Sequence, residues 1–147
     1  MKTKAKNLFT PILLTLCFSL FGNVLQAQVA VIAHPDVPID SIDENMLLDF
    51  YSGDIQQWNN GEKITVYDLK KAKKLKNVFY KYMGKSSSRM KSIWMKKMLA
   101  GEGEPPEAIS DEKSMLQKVA ETPGAVGFIS TENLDDSVKL IATIDGG

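Results

Sequence analysis

Residues 46–63, MLLDFYSGDIQQWNNGEK, together with residues 123–130, PGAVGFIS, decide the fold. In the first stretch Met46, Leu47, Phe50 and Tyr51 recur at helical spacing, and Gly53 supplies a residue tolerant of positive φ where that helix must stop. Trp58 then stands as an aromatic anchor just ahead of an Asn59-Asn60-Gly61 turn. In the second stretch Pro123 and Gly124 make a turn, and Ala125 to Ile129 is an apolar run interrupted only by Gly127, the pattern of a strand covered on both faces.

Working outward, residues 28–33, QVAVIA, form a second β-branched apolar run and predict another buried strand, ended by His34, Pro35 and Pro38. Ser41 and Glu44 have capping-box spacing and predict a helix over 42–51. Residues 63–67, KITVY, alternate with period two and predict a strand with Ile64 and Val66 on one side. Ala72, Leu75, Val78, Phe79, Tyr82 and Met83 predict a helix over 69–83 that Gly84 breaks. Ser86 to Ser88 cap a third helix whose Met90, Ile93, Trp94, Met98 and Leu99 are expected to face inward. A polar loop, 101–106, leads to a fourth helix opening at Ser110 and Asp111, with Met115, Leu116, Val119 and Ala120 inward. Thr131 caps a single turn, and residues 138–144 read as the last strand. With no repeat and no long linker, this order predicts one α/β domain with a mixed sheet flanked by helices.

The compartment follows from the first residues. Lys2, Lys4 and Lys6 precede an apolar run from Leu8 to Phe21, and Leu25 and Ala27 stand where a signal peptidase reads, so residues 1–27 are expected to be a cleaved secretory leader and residues 28–147 a periplasmic domain. Cys17, the sole cysteine, lies within the apolar run, and Leu16 before it is too large for a lipidation site. A chain cleaved after Ala27 has no thiol for disulfides, metal sites or nucleophilic catalysis. The three early lysines are absent from it, so the formal balance of 18 basic and 18 acidic residues becomes 15 against 18. Such a mildly acidic surface gives no basic field for nucleic acid.

Five segments in order resemble phosphate-type ABC-transporter substrate-binding proteins. They are VAVIAHP at 29–35, LDFYSGDIQQWNNG at 48–61, VFYKYM at 78–83, SIWMKKMLAGEGEPP at 92–106 and PGAVGFI at 123–129. The resemblance implies a single-lobe type II periplasmic binding protein-like domain. It also implies capture of a small anionic solute, phosphate or another oxyanion, and delivery to an ABC permease or another periplasmic or membrane protein. Two departures bear on function. Full-length members hold their anion between two lobes, and the phosphate binders carry a Gly-Ser-Gly-Thr type loop ahead of the helix that holds Val78 to Met83. Here that place reads Asp68-Leu69-Lys70-Lys71-Ala72-Lys73-Lys74-Leu75, with neither glycine nor hydroxyl. The alternative is therefore a periplasmic interaction or sensing module that kept the lobe and lost the ligand.

The candidate ligand-binding residues are Lys71, Lys73 and Lys74, within a lysine cluster that also reads as the solvated face of a helix, and Ser86, Ser87 and Arg89, which also read as a helix cap. Met90, Trp94, Met95 and Met98 could be imagined as a soft-metal site, but their spacing is that of a core stripe. His34 is the sole histidine, which leaves a serine nucleophile without a base beyond it and a metal site without a second imidazole. No catalytic residue, metal or cofactor is expected. The mass of the exported protein should match a chain beginning at Gln28. Retention of residues 1–27, or a lipid on Cys17, contradicts the leader.

Overall fold

The computed structural model describes residues 27–147, so the leader predicted over 1–27 falls outside the described residues but for Ala27. The elements are β1 (Val29–Ala33), α1 (Glu44–Ser52), β2 (Thr65–Leu69), α2 (Lys73–Tyr82), α3 (Ser87–Leu99), β3 (Glu107–Ile109), α4 (Glu112–Glu121), β4 (Ala125–Ser130), a single 3-10 turn (Thr131–Asn133) and β5 (Lys139–Ile144). One five-stranded sheet has the order β3-β2-β4-β1-β5. β2 is parallel to β3 and β4, whereas β1 is antiparallel to β4 and β5. Four strands thus share one direction and end on one edge, where Leu69, Ile109, Ser130 and Ile144 close them. The predicted mixed sheet flanked by helices is the observed architecture.

The apolar runs became the central strands because burial on both faces demands them. Every residue of β1 is fully buried, and Ala125 to Ile129 of β4 are as well. Gly127 is required by close packing: a Cβ there would lie 2.5 Å from Met115 Sδ and 3.0 Å from Val119 Cγ2 of α4. On the other side Phe79 stacks on Phe128 with ring centroids 3.9 Å apart, and Tyr51 meets Phe79 edge-on at 4.9 Å.

The two deciding stretches meet in space. Trp58 is buried, packs edge-on against Phe50 at 5.0 Å, and donates its indole N–H to the Gly124 carbonyl at 3.1 Å. The same carbonyl accepts from Thr65 N at 3.2 Å, and His34 N donates to Ala125 O at 2.9 Å. Two successive peptides at the mouth of β4 therefore fix the turn after α1, the start of β2 and the end of β1. Gly124 sits at φ +76, and an added Cβ would be 2.2 Å from Lys63 O.

The structure departs from the sequence reading at several places. Asp43, not Ser41, caps α1, its carboxylate accepting from Met46 N at 2.8 Å, and Glu44 takes no part in a capping box. Asp43 stands directly before the first helical residue, where its carboxylate reaches the Met46 N–H, whereas Ser41 lies two residues further out. β2 continues to Leu69, and α2 begins only at Lys73, directly after Ala72, which holds a left-handed conformation at the N-cap position. β3 was not foreseen: of its three residues, Glu107 and Ala108 are exposed. On α3, Met90 and Trp94 are buried as expected, but Met98 and Leu99 are 53% and 87% exposed.

Gly84 and Gly124 share nearly the same φ, +70 and +76, but a Cβ at Gly84 meets nothing within 4 Å. Gly84→Ala should cost only the left-handed penalty of about 1–2 kcal/mol. Gly124→Ala should add a steric cost of about 1–3 kcal/mol. Urea unfolding of the two variants side by side measures the difference, and equal losses contradict the packing described at Lys63.

Candidate functional site

In an open sheet with parallel strands, ligands favour the crevice outside the carboxyl ends of the strands. Two helices begin at that edge here, α2 after β2 and α4 after β3, and their N-termini differ in one respect. Asp111 caps α4, accepting from Ser114 N at 2.7 Å, and this hydrogen bonding holds its carboxyl below the usual range. The next residue, Glu112, puts a second carboxylate in the first turn of α4, where it complements the helix dipole while its Oε1 accepts from the Ser130 N–H at the end of β4. Asp43 does the same for α1, and Ser86 Oγ accepts from Arg89 N at 3.1 Å to cap α3. Among the four described α-helices, α2 alone has no side-chain cap, and like α3 it has no acidic residue in its first turn to complement its dipole.

The uncapped end is surrounded by positive charge. Lys70, Lys71, Lys73 and Lys74 are all exposed around it, and Ala72 holds φ 63 and ψ 55 at the N-cap position. The backbone turns sharply there, with Lys70 N held by Ile109 O at 2.8 Å. Behind the turn, Asp68 Oδ1 accepts from Leu69 N at 2.7 Å, and Oδ2 pairs with Lys76 at 3.3 Å. Tyr80 lies against the same carboxylate. Burial first, and then the negative charge of Asp68, push its phenol well above the ordinary value, so it stays neutral. Lys76 and Asp68 thus neutralise each other, and the net charge at the α2 start comes from the four lysines of the turn.

The predicted residues fall into separate places. Lys71, Lys73 and Lys74 share the α2 start, whereas Ser86, Ser87 and Arg89 lie past its other end, about 15 Å away along a ten-residue helix. Nor do the latter three converge among themselves. Ser87, with Ser88, opens onto a cleft of about 530 Å³ floored by Asp68, Tyr80 and Tyr51, while Arg89 borders a different hollow with Ser92, Ile93 and Lys96. Ser86 has its hydroxyl committed to the cap. The floor of the cleft was missed by sequence reasoning, because Asp68, Lys76 and Tyr80 come together only when α2 packs on β2. Among the described residues no group of three or more His, Cys, Asp or Glu side chains is placed to hold a metal. His34 Nδ1 accepts from Asp36 N at 3.2 Å, a local turn contact.

The chain is similar to known phosphate-binding proteins. It is 28% identical over 130 residues to the phosphate-binding protein PstS of Bacillus subtilis, covering 81% of this chain and 38% of that protein. Its fold matches a structure from Clostridium perfringens, assigned as a phosphate ABC transporter substrate-binding protein with bound phosphate. The TM-score there is 0.64 at 19% identity, over 78% of this chain and 45% of the other. An ABC-type phosphate transport receptor from Vibrio cholerae matches at a TM-score of 0.58 and 22% identity, over 78% and 46%. No family model matches the sequence. The fold is thus that of a type II periplasmic binding protein lobe, and the resemblance read in the sequence is borne out. The chain spans less than half the length of each of these relatives.

A non-glycine residue in the left-handed region carries about 1–2 kcal/mol of strain. Ala72→Gly should therefore raise unfolding stability by up to about 1 kcal/mol after the entropy of the freer unfolded chain is deducted, and Ala72→Val should lower it. Denaturant midpoints at constant slope read both, and an Ala72→Gly variant weaker than its parent contradicts the turn.

Proposed function

We propose that the protein is an exported, non-enzymatic binding component for a small oxyanion of the phosphate class, working beside an ABC permease or another membrane-bound partner. The observation that carries this reading is the uncapped N-terminus of α2, ringed by Lys70, Lys71, Lys73 and Lys74 at the carboxyl edge of the sheet. Free backbone N–H groups at a helix start point outward, and the helix dipole favours an anion there. The names of the relatives support phosphate as the first ligand to try.

The same geometry limits the affinity. Lysine ammonium groups are mobile point charges without the planar fork of an arginine, and the turn has no hydroxyl to donate. An anion resting on this edge keeps its outer face in water. Binding by this lobe is therefore weak and governed by charge, with shape contributing little until a second surface closes over the ligand. A second reading, an interaction or sensing module without a ligand, draws on the same missing hydroxyls and glycines.

Titration with inorganic phosphate, followed through amide resonances, tests the two. The first reading expects shifts concentrated at Lys73, Lys74 and Leu75, weak saturation, and loss of binding as ionic strength rises and the screening length shortens. Neutralising Lys71, Lys73 and Lys74 together to glutamine should abolish the shifts without unfolding an exposed turn. Shifts elsewhere, or none at low salt, favour the module.

A further inference from the structure

The near-neutral balance of the chain conceals a segregation of charge. Residues 70–97, from the turn before α2 through nearly all of α3, hold ten lysines and one arginine with no acidic residue, so all 18 carboxylates lie elsewhere. Among the described residues only two of these eleven cations are in ion pairs, Lys76 with Asp68 and Lys97 with Asp54. Eight of the remaining nine are exposed. The same hairpin leaves apolar side chains in water: Met95, Met98 and Leu99 are 56%, 53% and 87% exposed and border the cleft of about 530 Å³, to which α2 contributes Lys76 and Tyr80. Lys91, Met95 and Met98 stand in one row at i, i+4 and i+7, and Lys96 and Leu99 at i and i+3 in the next. The acid of this cleft, Asp68, is neutralised by Lys76, and Glu102 and Glu104 of the following loop border other hollows.

We infer that the α2–α3 hairpin docks the chain on an anionic phospholipid surface, with Lys91 and Lys96 among the headgroup phosphates and Met95, Met98 and Leu99 entering the acyl boundary. Cations interleaved with exposed apolar groups, and no acid between them, are the composition of a helix lying in a lipid–water interface. Each cation near a negative leaflet adds to the attraction, and eight exposed ones act together. Two observations select a bilayer over other anionic partners. Lysine outnumbers arginine ten to one in the hairpin, whereas contacts between proteins enrich arginine and deplete lysine. A lysine stem also lies along apolar surface while its ammonium reaches the headgroups. The second observation is the apolar stripe itself: a soluble polyanion would neutralise the charge but leave Met98 and Leu99 in water, where a lipid boundary covers them. A second copy of the hairpin would set like charges against each other. The inference is independent of anion capture at the α2 turn, because α3 alone supplies both the charge and the apolar groups that test it.

Flotation of the purified, exported protein with lipid vesicles measures the docking. Vesicles of phosphatidylcholine containing one-quarter phosphatidylglycerol should carry the protein, pure phosphatidylcholine vesicles should not, and rising ionic strength should weaken the partitioning. Lys91→Gln with Lys96→Gln should lower the partitioning about tenfold or more. Met98→Gln with Leu99→Gln should lower it about tenfold as well, and should leave the melting curve in place because neither side chain belongs to the core. Phosphate-induced shifts at Lys73 and Lys74 should be the same in both variants, so either reading can fail without the other. A protein that ignores the anionic vesicles, or binds pure phosphatidylcholine equally well, overturns the proposal. Binding that survives both pairs of substitutions arises elsewhere in the chain and overturns it too. Partitioning that falls with the lysine pair but not with the apolar pair assigns the face to charge alone, as for a soluble polyanion or an acidic protein, and also overturns it. So does self-association in the absence of lipid, read by sedimentation and abolished by the apolar pair, which assigns the face to a second copy.

Discussion

The carbonyl of Gly124 is the constraint on which the rest of this fold depends. It accepts one hydrogen bond from the Trp58 indole and another from the backbone of Thr65, and the adjoining Ala125 carbonyl accepts from His34. The end of β1 and the stretch from Trp58 to Thr65, both distant in sequence from β4, are thereby registered at its start. Because β4 lies between β2 and β1, an error there would propagate to both halves of the sheet. A slip of one residue would also replace Gly127 by a side chain in the space that Met115 and Val119 occupy. Gly124 is needed twice over, for its positive φ and for the space that Lys63 O occupies.

That constraint explains why the fold was legible in the sequence. The helix stop at Gly53, the Trp58 anchor and the Pro123-Gly124 turn are local signals, and each sits at a point where tertiary contacts converge. The buried strands were legible for a related reason, since full burial permits only apolar residues. What escaped detection lacked such a local mark. β3 exists because its backbone pairs with β2 over Tyr67 to Leu69, and its own side chains say little. Periodicity placed Met98 and Leu99 on the apolar face of α3, but periodicity reports which residues share a stripe, and it is silent on whether the neighbouring layer belongs to the same domain.

The candidate site was half legible. The run Lys70 to Lys74 announces positive charge, and the absence of Ser, Thr, Asp or Asn at position 72 leaves the α2 start without a cap. Its position at the carboxyl edge of the sheet could not be read, because that depends on β2 running parallel to β4. Ser86, Ser87 and Arg89 illustrate the opposite case. Their types suit an anion, but the helix start uses one hydroxyl for itself and sends the others to different sides.

Charge and shape are separable at this edge, and the separation has a consequence for selectivity. Ala72 keeps a backbone conformation that glycine adopts with less strain, so the turn presents free N–H groups even though the residues that would grip an anion with hydroxyls are absent. A cradle of fixed donors distinguishes anions by which oxygens carry protons, since a donor facing a protonated oxygen loses its partner. Mobile ammonium groups make no such distinction and respond to total charge. On the function proposed above, the lobe by itself would concentrate oxyanions rather than choose among them, and discrimination between, for example, phosphate and sulfate would have to come from acceptor and donor groups on a second surface over the α2 start.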